Sequence, residues 1–189
     1  MSYQRDPMYR FLIVLTIAST IGLQGWRTLF NNFAVEVAGL NGAQVGLVQS
    51  VREIPGFLAL LAIYVMLIMR EHRLSALSIL FLGLGVGATG LLPTFSGVVL
   101  TTLIMSFGFH YYETTNQSLT LQYFNHTTAP IVFGQQRSYA AATNIGVGAV
   151  IFFLAAVLSY KQIYLLLGLL LVLVALWGFR QQPTRLNIT

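Results

Sequence analysis

"LSALSILFLGLGVGATGLL", residues 74–92, runs for nineteen residues without one ionisable side chain. A helix needs roughly 20 apolar residues to cross the hydrocarbon of a bilayer. A single segment buried in lipid must satisfy its own backbone groups, which a helix does. The stretch therefore predicts a transmembrane helix, and "IYLLLGLLLVLVALWGF" (163–179) predicts a second of the same kind.

Working outward, the whole chain of 189 residues is 56% hydrophobic and 8% charged, with a mean hydropathy of +0.74. Soluble domains carry about 25% charged residues, so an all-α polytopic membrane protein is expected, with the lipid bilayer as its first partner. Breaks at "GLNGAQ", "MREHR", "LLPTFSG", "NHTTAP" and "LSYK" divide it into six spans, at about 10–38, 42–69, 75–93, 96–124, 131–158 and 162–179. Residues 1–9 form an N-terminal segment and 180–189 a tail. The first apolar stretch, from Phe11, continues through Gly25 without a small-residue cleavage site, and so reads as a span and not a removable signal. The absence of cysteine excludes disulfides and thiolate metal sites.

The net charge of +5 is scattered at segment ends without a basic stripe, so no nucleic acid is expected. Placing the N-terminus in the cytoplasm puts Arg5, Arg10, Arg70, Arg73, Arg180 and Arg185 on the inner side, with Arg137 just inside the fifth span and Lys161 alone outside. The positive-inside rule then gives both termini a cytoplasmic location in a bacterial inner membrane.

The third and sixth spans lack ionisable groups, whereas the first, second, fourth and fifth each hold at least one. A charged span must face protein or water, so the third and sixth are expected at the periphery. The order polar, polar, apolar occurs twice. "WRTLFNN" (26–32) lies about 11 residues from the outer end of the first span and "YETTNQ" (112–117) about 11 from the inner end of the fourth, the relation expected of an inverted three-plus-three repeat.

With "GLNGAQVGLVQSVREIPGFLALL" (39–61) and "SFGFHYYETTNQSLTLQYF" (106–124), residues 8–180 resemble the N-terminal six-helix half of a major facilitator superfamily transporter. The resemblance implies a 3+3 inverted repeat, a central cavity lined by the first and fourth helices, and the third and sixth at the periphery. In "VMLIMREHR" (65–73), Arg70 and Arg73 fall on the two basic positions of the family's loop motif, while Val65, Met69 and His72 replace its glycine, aspartate and second glycine. The antiporter motif of the fifth helix is absent, "NIGVGAV" (144–150) keeping only two glycines. A complete member has two halves, so the implied partner is a second six-helix half, either the same chain continued or another copy as a homodimer.

The fourth span places His110, Glu113 and Gln117 at i, i+3 and i+7, with Asn116 and Thr120 beside that stripe. A carboxylate there must be paired, protonated or facing water. Two readings stand: Glu113 couples protons with His110 beside a path lined by Tyr111, Asn116 and Gln117, or it forms a structural pair with Arg137. The first span presents Thr20, Gln24, Arg27 and Asn31 on one face. Arg27 and Arg52 offer donor forks to an anionic solute; alternatively Arg27 snorkels to the outer interface beside Trp26, or pairs with Glu53, each about 12 residues from the "GLNG" turn, leaving Arg52 as the anion site. Glu53 is a second candidate, beside Glu113, for proton coupling. Pro55 is expected to kink the second span. Asn144 either completes the cavity or belongs to the small-residue packing surface "AAATNIGVGA" (140–149).

His72 and His126 lack a second ligand at metal spacing, and no nucleophile or phosphate loop is present, so neither metal, cofactor nor enzymatic activity is expected. The reading is of a transporter moving a small polar or anionic solute by alternating access, with a non-transporting membrane scaffold or assembly subunit as its rival.

Overall fold

The computed structural model describes residues 2–183, so residues 184–189, most of the expected tail together with Arg185, lie outside it. The described chain is helical, without strands. Helix α1 spans Pro7–Glu36, α2 Gly42–Phe57, α3 Ala62–Ile68, α4 Glu71–Thr89, α5 Phe95–Tyr123, α6 Ala129–Ala155 and α7 Tyr160–Arg180. Five stretches are long and apolar enough to cross a membrane: α1, α2 with α3, α4, α6 and α7. Helix α5 has the length, with 29 residues, but its polar second half lowers its hydropathy. This is the helix complement that an integral membrane protein requires.

The helices begin where local chemistry supplies caps. Asp6 accepts from the Met8 amide at 2.8 Å ahead of Pro7, and Asn41 and Ser159 each form a reciprocal capping box with a glutamine three residues on, Gln44 and Gln162. Gly39 takes a φ of +64° where the chain turns from α1 into α2, a conformation that disfavours a Cβ. Pro55 sits near the end of α2, and a 3-10 turn at Leu58–Leu61 separates it from α3, so the second span is broken close to the proline.

Helix α1 packs on α6, α7 and α4, while α5 packs on α4 and α2, and α4 also lies along α7. The third span packs along α5 and α7 on one side and presents Phe81 and Leu84 outward on the other. Its glycines let backbones meet: an added Cβ on Gly85 would strike the Met105 amide, one on Gly108 would strike the Leu82 amide, and one on Gly168 would stand 2.6 Å from Cα of Gly87. Helix α7 does present an outer stripe, with Leu166, Leu169, Leu173 and Leu176 all exposed at three- and four-residue spacing. The small residues of α6 behave otherwise than expected: nothing lies within 4 Å of a Cβ added to Gly146 or Gly148. A small-residue pattern permits close approach but does not supply the neighbour.

Replacing Gly108 or Gly85 by Ala should cost about 1–3 kcal/mol through forced separation of α4 and α5. Gly146→Ala should be neutral or gain up to about 1 kcal/mol of helix propensity. Thermal unfolding in detergent distinguishes the two sets.

Candidate functional site

Helices α1, α5 and α6 enclose a cleft of about 500 Å3. The α1 wall carries Thr16, Ser19, Thr20, Gln24 and Arg27, and α6 contributes Phe133, Gln136, Arg137 and Asn144. From α5 come Phe109, Tyr112, Glu113, Asn116 and Gln117, successive positions on one helical face.

Two hydrogen bonds set the relative heights of the walls. Thr16 Oγ1 and Tyr112 OH lie 2.9 Å apart, joining α1 to α5. Asn116 Nδ2 donates to Gln136 Oε1 at 2.9 Å, joining α5 to α6. The second bond belongs to a ladder that orients both amides. Thr120 Oγ1 donates to the Asn116 carbonyl at 2.7 Å, so it is free to accept from Gln136 Nε2 at 3.2 Å. Gln136 Oε1 then faces Asn116 Nδ2, and Asn116 Oδ1 is left covered and without a hydrogen-bond partner.

The expected ion pairs are replaced by others. Glu53 is taken by its neighbour Arg52, whose Nη2 stands 2.7 Å from Oε1, and not by Arg27. Glu113 has His110 beside it, Nδ1 to Oε2 3.9 Å, and not Arg137. Equal counts from a turn leave the direction round each helix open, and Arg27 faces the cleft while Glu53 does not. Arg52 lies outside the cleft, its guanidinium 5.9 Å from the centroid of the Trp26 ring. Its backbone carbonyl accepts from Ser106 of α5.

Of the expected solute contacts, Arg27, Glu113, Asn116, Gln117 and Asn144 line the cleft, whereas Asn31, Arg52 and Tyr111 do not. Among the proposed proton-coupling groups, Glu113 lines it, and Glu53 and His110 lie outside. The imidazole of His110 lies against Gly56 of α2. It stands about 60° round the helix from Glu113, which carries it off the wet face. Tyr111 points to the far side of α5, its hydroxyl 3.4 Å from the Leu58 carbonyl. Thr120 is buried in the amide ladder. Missed by the sequence reading were Thr16, Tyr112 and Gln136. Thr16 and Tyr112 sit one turn before Thr20 and Asn116, so extending each polar stripe by four residues finds them.

Within the described residues, neither Arg27 nor Arg137 has a carboxylate within 4 Å. With Glu113 they give the cleft lining an excess of one positive charge. No protein-family model matches the chain, and a comparison with characterised proteins returns no significant match.

Gln136→Leu should remove the α5–α6 bridge and strand the Asn116 amide, costing about 1–3 kcal/mol. Gln117→Leu, on the exposed side of the same cleft, should change stability by no more than about 0.5 kcal/mol. Thermal unfolding of both variants measures the contrast.

Proposed function

We propose that the protein is a membrane transporter of the major facilitator type, moving a small polar or anionic solute by alternating access through the cleft between α1, α5 and α6. The single observation that carries this reading is a polar cleft, within a set of apolar helices, lined by two arginines that among the described residues have no carboxylate within 4 Å. Charged groups at membrane depth are expensive and mark solute or ion paths. The volume of about 500 Å3 falls within the range of small-molecule sites.

The pairing of helices supports a 3+3 inverted repeat. Exchanging the first three spans with the last three maps α1 onto α5, the α2–α3 span onto α6, and α4 onto α7. Under that exchange the α1–α6 contact becomes α5–α2, α1–α7 becomes α5–α4, and α4–α7 becomes itself, and these contacts are made, whereas among the described residues the α1–α4 contact has no comparable α5–α7 counterpart. Such a relation is the one found between the repeats within a six-helix half of this transporter class.

On this reading the chain lies in a bacterial inner membrane with both termini cytoplasmic, and works with a second six-helix half, joined in the same polypeptide or supplied by another copy. Glu113, with His110 at 3.9 Å, is the better-placed proton-coupling group, since Glu53 is occupied by Arg52.

A non-transporting scaffold is the alternative favoured by the bare outer surfaces of the α2–α3 span and α6, where Phe57, Ile68 and Ile145 are strongly exposed. Solvent access separates the two. Because the chain has no cysteine, Gln117→Cys and Asn144→Cys introduce single thiols into the cleft, and Phe152→Cys places one on the apolar outer face of α6. In a transporter the cleft thiols react with a membrane-impermeant reagent and the outer one does not. Silence at positions 117 and 144 would remove the transport reading.

A further inference from the structure

Glu113 and Arg137 face the same cleft from different walls. The Asn116–Gln136 hydrogen bond brings those two residues to adjoining levels of the cleft. On antiparallel helices Glu113 stands three residues from that bond and Arg137 one residue, in the same direction. Their backbone heights therefore differ by two residues of helical rise, about 3 Å. Yet the carboxylate and the guanidinium are not within 4 Å of each other, and Glu113 is turned toward His110. An opposed positive and negative group thus stand within a helical turn of each other in height, unpaired across the cleft.

We propose that this gap is a binding site for a zwitterion of the α-amino-acid type with an apolar side chain, its ammonium group on Glu113 and its carboxylate on Arg137. The proposal rests on the reading of the cleft as a solute path and specifies its solute class. A simple anion would satisfy Arg137 but stand beside the Glu113 carboxylate, and a simple cation would stand beside Arg137. A zwitterion meets both, and each wrong partner is rejected by an unpaired or like charge. Arg137 supplies the planar donor fork that a carboxylate matches. Phe109 precedes Glu113 by one turn and Phe133 precedes Arg137 by one turn, both lining the cleft, so apolar surface flanks the charged pair.

The test is calorimetric titration of the purified 189-residue chain with three probes: leucine, N-acetylleucine, which lacks the ammonium, and leucine methyl ester, which lacks the carboxylate. Leucine should bind at least about tenfold more tightly than either derivative, as expected for the loss of one charge-assisted contact. Glu113→Gln should weaken leucine by a similar factor while leaving N-acetylleucine no weaker than in the parent chain. Arg137→Gln should weaken leucine, and Arg137→Lys should restore part of it. If N-acetylleucine matches leucine in the parent chain, or if none of the three binds, the zwitterion site is overturned. Thiol labelling of Asn144→Cys in the same preparation keeps the two readings apart. A labelled cleft without leucine binding sinks only the solute assignment, and an unlabelled cleft sinks the transport reading too.

Discussion

The contact on which the rest of the structure depends is the meeting of α4 with α5 and α7 at positions that have no room for a Cβ. Gly85 lies against Met105, Gly108 against Leu82, and Gly168 against Gly87. In an apolar solvent the hydrophobic effect does not drive helices together, so close dispersion contact and small residues must do it. These approaches leave α5 little rotational freedom, because Gly108 has to face α4. The polar stripe of Glu113 and Asn116 is then directed away from α4 toward α1 and α6. A buried hydrogen bond of 2.6 Å between Ser75 and Thr115 adds a polar tie across the same α4–α5 contact. The cleft is thus a consequence of where the glycines of α4 and α5 lie.

The all-helical character was legible from hydropathy and from the breakers between runs, as was the disturbance of the second span at Pro55. The cleft-facing sides of α1 and α5 were legible for a different reason, since Thr20, Gln24 and Arg27 repeat at helical spacing, and Glu113, Asn116 and Gln117 do likewise. Ion pairing was not legible. Counting residues inward from a turn gives depth alone, but pairing also needs the two side chains to point at one another. Glu53 has a nearer arginine in Arg52, whose own orientation is held by Trp26. The small-residue stretch of α6 misled in the opposite way. Gly146 and Gly148 look like a packing surface, but the glycines that meet a neighbour lie in α4, α5 and α7.

The amide ladder explains how a polar cleft coexists with a rigid wall. Asn116, Gln136 and Thr120 satisfy one another in a single order, because Thr120 spends its proton on the Asn116 carbonyl. A linked polar chain in low dielectric resists rearrangement, since breaking one bond orphans the next group, even though Asn116 Oδ1 stands outside the ladder. The wall between α5 and α6 is held at this point, and the charged groups beside it need not pair to stabilise the fold. Glu113 and Arg137 can stay apart because the structure does not require them to meet.

That separation bears on what surrounds the cleft. Glu113, Arg27 and Arg137 are all exposed on their helices, and three charged side chains facing hydrocarbon would each cost several kcal/mol. An open polar cleft in a bilayer must therefore meet water or another protein surface. The bare sides of the α2–α3 span and α6 carry Phe57, Leu60 and Ile145, apolar groups that gain from burial against protein but tolerate lipid. A partner seated on those two surfaces would roof the cleft without itself having to neutralise the charges, leaving them to water and solute. On the proposed reading, the requirement for a second half comes from the energetics of the cleft as well as from the resemblance: the charges that mark the solute path are the same ones that forbid lipid from closing it.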